Sequence, residues 1–273
     1  MTVRAVSLEG MCGRFTMTTN PALLATELGA INEVAPAQGS PVELSSVNVA
    51  GDEYNIGPTR TIMTVVKRRP REDPEGAPAL RIRGMRWGLV PFWANEFGTG
   101  APMFNARAET AATTRSFKQS VQRRRLLVPM DGWFEWRPLA DAGAKAARKQ
   151  AYYMSPRDGT RLFMAGLWSV WHPKGQGAQD QSAQLSCAIV TVDAVGPLRE
   201  VHDRMPLIMP AEHWDAWLDP DHSVDPALLA APPRDLVEAI EIRPVSALVN
   251  NVANNGPQLL ARVDPPPEQQ PLF

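Results

Sequence analysis

What most limits the fold of this chain is the spacing of its β-forming runs. "TIMTVV", "RIRGMRW", "RLLVPM", "GWFEW", "AYYMS", "RLFMAGLWSV", "LSCAIVTV" and "AIEIRPV" are rich in branched and aromatic residues and bounded by turn formers. Only short helical patches interrupt them, at "TTRSFKQSVQRR", "AEHWDAWL" and "RDLVEAI". A doubly wound sheet needs regular strand–helix alternation, which is missing. The pattern predicts an α+β domain with curved, mainly antiparallel, barrel-like sheets and peripheral helices. With 273 residues, 44% of them hydrophobic, the chain can bury a sizeable core.

Local signals add detail at both ends. A strand is expected over Gly13–Met17, followed by a helix from Pro21 to Leu28, because Asn20 can cap it, proline suits a first turn and Gly29 can end it. The stretches 36–52 and 68–78 read as exposed loops from their Gly, Pro, Ser and charged content. From residue 263 onward the composition is that of a disordered tail.

Several function classes drop out. No apolar run is long enough to span a bilayer, and the first ten residues lack both the basic and the apolar regions of a signal peptide. The expectation is a soluble, cytoplasmic protein. Two cysteines, Cys12 and Cys187, and four histidines make neither a disulfide framework nor a zinc cluster, so no metal and no cofactor are expected. Cys187, inside "LSCAIVTV", reads as strand core. The net charge of −1 conceals an asymmetry: residues 60–125 carry fourteen Lys/Arg against five Asp/Glu, and residues 211–273 three against ten. One face could attract phosphate, or simply be solvated.

Cys12 follows Met11 in "MCGRF", which resembles a translation start ten residues inside the chain. A buried strand-start cysteine is the plain alternative. If the chain began at Cys12, its α-amine and thiol would sit on adjacent carbons. An α-amine titrates near ~8, so part of it is a free nucleophile at neutral pH. It can condense with an aldehyde, and the neighbouring thiol can then close a five-membered thiazolidine ring intramolecularly. The same thiol could instead serve acyl transfer in an N-terminal-nucleophile hydrolase.

Other candidates are weaker taken singly. In "FNARAET", Asn105 and Arg107 stand two apart in an extended segment and project to one face, an amide beside a phosphate-seeking guanidinium; a strand-to-helix junction with a locally satisfied Asn is the alternative. Glu135 in "DGWFEW" lies between aromatic residues that suggest burial, and burial raises a carboxyl towards the range of a neutral-pH proton shuttle, unless an arginine pairs it. His202 and Arg204 in "VHDRMP" offer an acid/base and an anion grip. His172, His213 and His222 read as surface residues. "RWGLVPFWA" sets Trp87, Phe92 and Trp93 near a basic stretch, as stacking on single-stranded nucleic acid requires, although each tryptophan taken singly reads as core rather than platform.

In order along the chain, "MCGRF", "YNIGPT", "RWGLVPFWA", "NARAET", "VPMDGWFEW", "AGLW", "IVT" and "HDRMP" resemble the SOS response-associated peptidase (SRAP) family. The likeness runs from Met11 to about Leu260 and implies one SRAP-like domain over 11–262. It implies a protein that recognises abasic sites in single-stranded DNA as a monomer and joins covalently to the ring-opened sugar through an N-terminal cysteine. On that likeness Cys12 is the nucleophile, Asn105 positions the amine and sugar, Glu135 moves protons, and His202 assists sugar opening. Arg14, Arg107 and Arg204 would contact phosphates, Pro58 and Trp93 would pack against flanking bases, and Gly13, Asn55 and Thr191 would line the pocket. Residues 1–10 depart from the pattern, and the working chain is expected to begin at Cys12. A cysteine peptidase or amidohydrolase using Cys12, His202 and Asn105, and a noncovalent single-strand-binding module, are the competing readings.

Overall fold

The computed structural model describes residues 13–34, 52–70, 72–139, 149–173 and 183–264. Cys12, the leading segment, most of the first expected loop and the expected tail lie outside them. In chain order the elements are β1 (Arg14–Met17), α1 (Pro21–Leu28), β2 (Ile31–Asn32), β3 (Glu53–Ile56), β4 (Thr61–Arg68), β5 (Ala79–Trp87), β6 (Asn105–Arg107), α2 (Ala108–Ala111) and α3 (Lys118–Arg123). They continue with β7 (Arg125–Met130), β8 (Gly132–Pro138), β9 (Lys149–Pro156), β10 (Leu162–Trp171), β11 (Gln184–Asp193), β12 (Arg204–Pro206), α4 (Trp214–Leu218), α5 (Arg234–Glu238) and β13 (Ile240–Val245). No helix among the described residues is long and apolar enough to cross a membrane.

The architecture is mixed α+β, as the spacing of runs predicts. Strands β11, β10, β7, β4 and β5 pair antiparallel in that order, and β5 returns to β11 in parallel through Ser186 opposite Arg86 and Cys187 opposite Trp87. That two-residue return closes a five-stranded barrel and leaves the rest of the β5 and β11 edges to other strands. Strands β12 and β6 attach to β11, and β2 to β5. A second, five-stranded sheet runs β13–β9–β8–β1–β3. Barrel strands read as nearly continuous apolar runs because both faces are covered: every residue of β7 is buried.

Local chemistry explains the elements. Asn20 Oδ1 accepts the Leu23 N–H at 2.9 Å, and Gly29 adopts the left-handed conformation (φ 59°) that closes α1. At Gly132, where β7 turns into β8, a Cβ would lie 2.4 Å from Met154 O and 2.5 Å from the Tyr153 ring. Only glycine admits that approach, which lets the Tyr153 hydroxyl reach Thr16 Oγ1 at 2.7 Å. The longest patch expected to be helical, at 113–124, forms α helix only over α3, since its first half turns through Thr110–Thr114 side-chain and backbone hydrogen bonds.

Arg125 ties the helical margin to the barrel. Its guanidinium donates to the carbonyls of Val121, Gln122, Trp217, Asp219 and His222, capping the ends of α3 and α4 with one buried cation. Cys187 is fully buried beside Trp87 at the barrel seam, and burial pushes its thiol pKa up, which makes it unreactive core as expected.

Candidate functional site

The site assembles from two halves. In the first, β1 lies between β8 and β3, with Arg14 opposite Phe134 and Phe15 opposite both Trp133 and Ile56. Extending that register by one residue sets Gly13, the neighbour of Cys12, opposite Glu135. Glu135 is 3% exposed, the burial its aromatic neighbours suggested. Trp136 follows it and donates from Nε1 to Asn250 Oδ1 at 2.7 Å.

Arg14 and Asn55 hold the chain segment 249–254 against this strand pair. Arg14 Nη1 donates to Asn55 Oδ1 at 2.9 Å and to Val249 O at 2.7 Å. Asn55 Nδ2 donates to the carbonyls of Val249, Asn251 and Asn254 at 3.2, 3.0 and 3.0 Å. Both side chains are buried, and burial lowers the Arg14 pKa from its ordinary value.

The second half hangs on β11. Parallel pairing sets Asn105 beside Ile189 and Arg107 beside Thr191, so Asn105 and Arg107 share a face, as two-residue spacing requires. Asn105 is half-buried, Arg107 exposed and Thr191 buried. On β12, Arg204 grips the Glu109 carboxylate with both terminal nitrogens at 2.9 and 3.0 Å, and also donates to Asp193 Oδ1 at 2.5 Å and Thr191 O at 2.7 Å. The Arg204 hydrogen bonds hold the Glu109 carboxyl below the usual carboxylate range.

His202 sits at the end of this network. Its Nδ1 accepts the Arg204 backbone N–H at 3.0 Å and lies 2.9 Å from Asp203 Oδ1. In the neutral ring that acceptance places the proton on Nε2; a proton on Nδ1 would turn the bond towards Asp203. The ring therefore has two bonding states without moving.

Trp87 joins the halves. It is fully buried, packs edge-on against Phe15 of β1 at 5.1 Å and Phe104, the neighbour of Asn105, at 6.0 Å, and donates from Nε1 to Phe104 O. Its backbone also bonds Thr59 and Arg60, fixing the turn that holds Pro58. Trp87 takes the core reading that the sequence favoured for each tryptophan singly: the ring is the spacer between two strands and not a stacking platform. Exposed aromatic faces belong to Phe92 (56%) and Trp93 (41%), the latter with Arg115 4.5 Å over its ring.

Two further expectations shift. Arg14 and Arg204, expected at phosphates, are buried and spend their terminal N–H groups on protein acceptors, because a buried guanidinium needs partners for its donors. Arg107 alone of the three is exposed. His213 and His222 are on the surface as expected, whereas His172 is half-buried with an unpartnered Nδ1. Sequence reasoning passed over Glu109, Asp193 and Asn250. Glu109 stands inside the "NARAET" motif, two residues after Arg107, and a carboxylate so close to an expected anion grip was the available signal. Among the described residues no group of three or more His, Cys, Asp or Glu could hold a metal ion.

Relatives sharpen this picture. The profile of the SOS response associated peptidase (SRAP) family matches residues 11–252. Abasic site processing protein YoqW of Bacillus subtilis is 31% identical over 210 residues, 76% of this chain and 84% of that protein. Abasic site processing protein YedK of Escherichia coli is 30% identical over 255 residues, 93% of this chain and 100% of its own length. Abasic site processing protein HMCES of Xenopus tropicalis is 32% identical, covering 77% and 66%. A solved structure from Bacteroides thetaiotaomicron shares the fold, with a TM-score of 0.69 at 22% identity over 92% of this chain and 100% of that one. A phage-related protein of Bordetella bronchiseptica superposes with a TM-score of 0.56 at 31% identity, covering 86% and 94%. The profile spans β1 and the Asn105, Glu135 and His202 motifs together, and the chain therefore belongs to the SRAP family.

Proposed function

We propose that this protein captures abasic sites in single-stranded DNA by forming a thiazolidine between Cys12 and the ring-opened sugar, in a chain whose N-terminus is Cys12. The observation that supports this reading is the seating of β1: it is paired on both sides, with β8 from Arg14 and with β3 from Phe15, and its register with β8 carried one residue further sets Gly13 against buried Glu135. The curated relatives' names support the substrate, and the exposed Arg107 and Trp93 suit a single strand's phosphates and bases.

The chemistry balances without a cofactor. The Cys12 amine adds to the C1′ aldehyde, and the carbinolamine loses water to give an imine. The thiol then adds across the C=N bond, forming the C–S bond while the nitrogen takes the proton; one water leaves overall. Glu135 donates to the departing hydroxyl, recovers a proton from the nitrogen as the imine forms, and then relays the thiol proton to that nitrogen. His202, bearing its proton on Nε2, assists opening of the sugar hemiacetal. Asn105 orients the amine and the sugar oxygen. Glu135 is buried and Asn105 and His202 are half-buried, which limits the bulk water that could hydrolyse the imine.

The test is a denaturing gel with a single-stranded oligonucleotide carrying uracil, after uracil removal. A chain beginning at Cys12 should give a heat-stable shifted band, and intact-base DNA none. Cys12→Ala, or a residue left in front of Cys12, should abolish the band. An adduct that survives either change overturns the mechanism. Salt-sensitive binding without any adduct would favour a noncovalent module.

A further inference from the structure

A second basic feature lies away from this site. The end of β4, the C-terminus of α3 and the Pro220–Asp221 turn enclose an open cleft of about 660 Å³ that gathers Arg68, Arg69, Arg123 and Arg124. Arg68 and Arg124 both lie over the Trp168 ring, at 4.9 and 5.8 Å. Asp221 is held by Arg69 through two hydrogen bonds at 2.6 and 2.7 Å. Among the described residues, Arg68, Arg123 and Arg124 have no carboxylate partner.

That arrangement is costly unless something compensates it. Burial, then repulsion from Arg124, Arg83 and Arg69, lowers the Arg68 pKa, and burial lowers that of Arg124. Glu75 and Asp221 both act on Arg69, and Asp221 also offsets part of the repulsion on Arg68. Two half-buried guanidiniums on one indole, with a third on the rim, present forked donors to an incoming oxyanion. The indole face fixes their planes.

The cleft is separate from the lesion site. It opens where β7 begins, next to Arg124, whereas Arg204 is level with Met130 at the other end of β7, about 17 Å along the strand, and Thr191 and Asn105, level with Val128 and Leu126, lie two and three strands across from β7.

We infer that this cleft is a second phosphate-binding site, which takes the phosphodiester backbone of a nucleic-acid strand outside the lesion-bearing segment. The inference rests on the DNA reading above but not on Cys12 chemistry. Within a single strand, nucleotides a few residues from the lesion lie far enough along to reach it.

The experiment uses the full chain. Fluorescence anisotropy of an undamaged oligonucleotide of about 40 nucleotides is measured against salt for the parent, Arg123→Gln and the double variant Arg68→Gln/Arg124→Gln. Arg123 is exposed, so its replacement keeps the fold; melting curves check the double variant. Each lost phosphate contact should lower the slope of log K against log salt by about 0.7, and the double variant should bind about tenfold more weakly at moderate salt. Adduct formation on an abasic oligonucleotide of about 10 nucleotides should be unchanged in every variant, which separates failure of this inference from failure of the lesion chemistry. Identical affinity and slope in all chains overturns the inference. A thermal shift by tripolyphosphate that the variants lose, with long-strand binding unchanged, also overturns it, by assigning the cleft to a free phosphate compound.

Discussion

Replacing Asn55 with leucine tests whether the 249–254 segment is held by the β1/β3 pair. Leucine keeps roughly the volume but removes four hydrogen bonds: one accepted from Arg14 and three donated to carbonyls. The Arg14 bond involves a buried cation and is worth about 1.5–3 kcal/mol. Val249 O keeps Arg14 as a donor at 2.7 Å, so that carbonyl is not orphaned. The Asn251 and Asn254 carbonyls lie nearer solvent and regain water, so each bond accounts for at most about 1 kcal/mol. The sum is about 3 kcal/mol, equivalent to a fall in melting temperature of roughly 6–12 °C for a domain of this size. Calorimetry should show that fall, and limited proteolysis should show faster cleavage between residues 247 and 255. Asn55→Asp retains the Arg14 contact but turns a carboxylate oxygen towards three carbonyls, so it should also destabilise at neutral pH. A change under about 2 °C with unaltered proteolysis would refute the account of the Arg14–Asn55 pair as the anchor of this segment.

Other outcomes follow from the same geometry. Because the Arg204 hydrogen bonds depress the Glu109 carboxyl, its contribution to stability is present above the ordinary carboxylate range and is lost as pH falls through its folded pKa, so Glu109→Gln should flatten the acid limb of melting temperature against pH. Burial raises the Tyr153 phenol to about 12, so its stabilising effect is full below the unfolded value of about 10 and disappears as pH rises towards the folded one. Tyr153→Phe should remove that part of the alkaline unfolding, at a neutral-pH cost of about 1 kcal/mol for the lost bond to the Thr16 hydroxyl, which keeps only Gly132 O, read by urea denaturation. Trp93→Ala should weaken single-strand binding by about 1–3 kcal/mol without lowering the melting temperature, since the ring is exposed; an equal loss of stability would reassign Trp93 to the core. Arg125→Met should cost about 3–5 kcal/mol, because five carbonyls lose a buried cation, and Arg125→Lys should restore only part of it.

Long elements were legible from residue pattern, and short ones were not. β10 and β11 announce themselves through unbroken apolar runs, and α1 through Asn20, Pro21 and Gly29. β2, β6 and β12 have two or three residues each, too few for a period, and exist only because β5 and β11 offer free edges. Closure of the barrel was unreadable for a related reason: Cys187 meets Trp87 in parallel across a separation of 100 residues, a tertiary event that leaves no local trace. At the site, burial of Glu135 and the shared face of Asn105 and Arg107 followed from neighbours and spacing. The partners of Arg14 and Arg204 did not, since Val249 lies 235 residues from Arg14 in sequence.

That last separation has a bearing on biogenesis. A ribosome releases Arg14 long before Val249, and β1 cannot be clamped from both sides until β8 has emerged as well. Arg14 therefore spends most of synthesis without its Val249 acceptor, and β1 gains its last contacts only when the end of the polypeptide folds back. A nick or premature stop ahead of Val249 would leave the Arg14 guanidinium and the Asn55 amide without the carbonyls they hold.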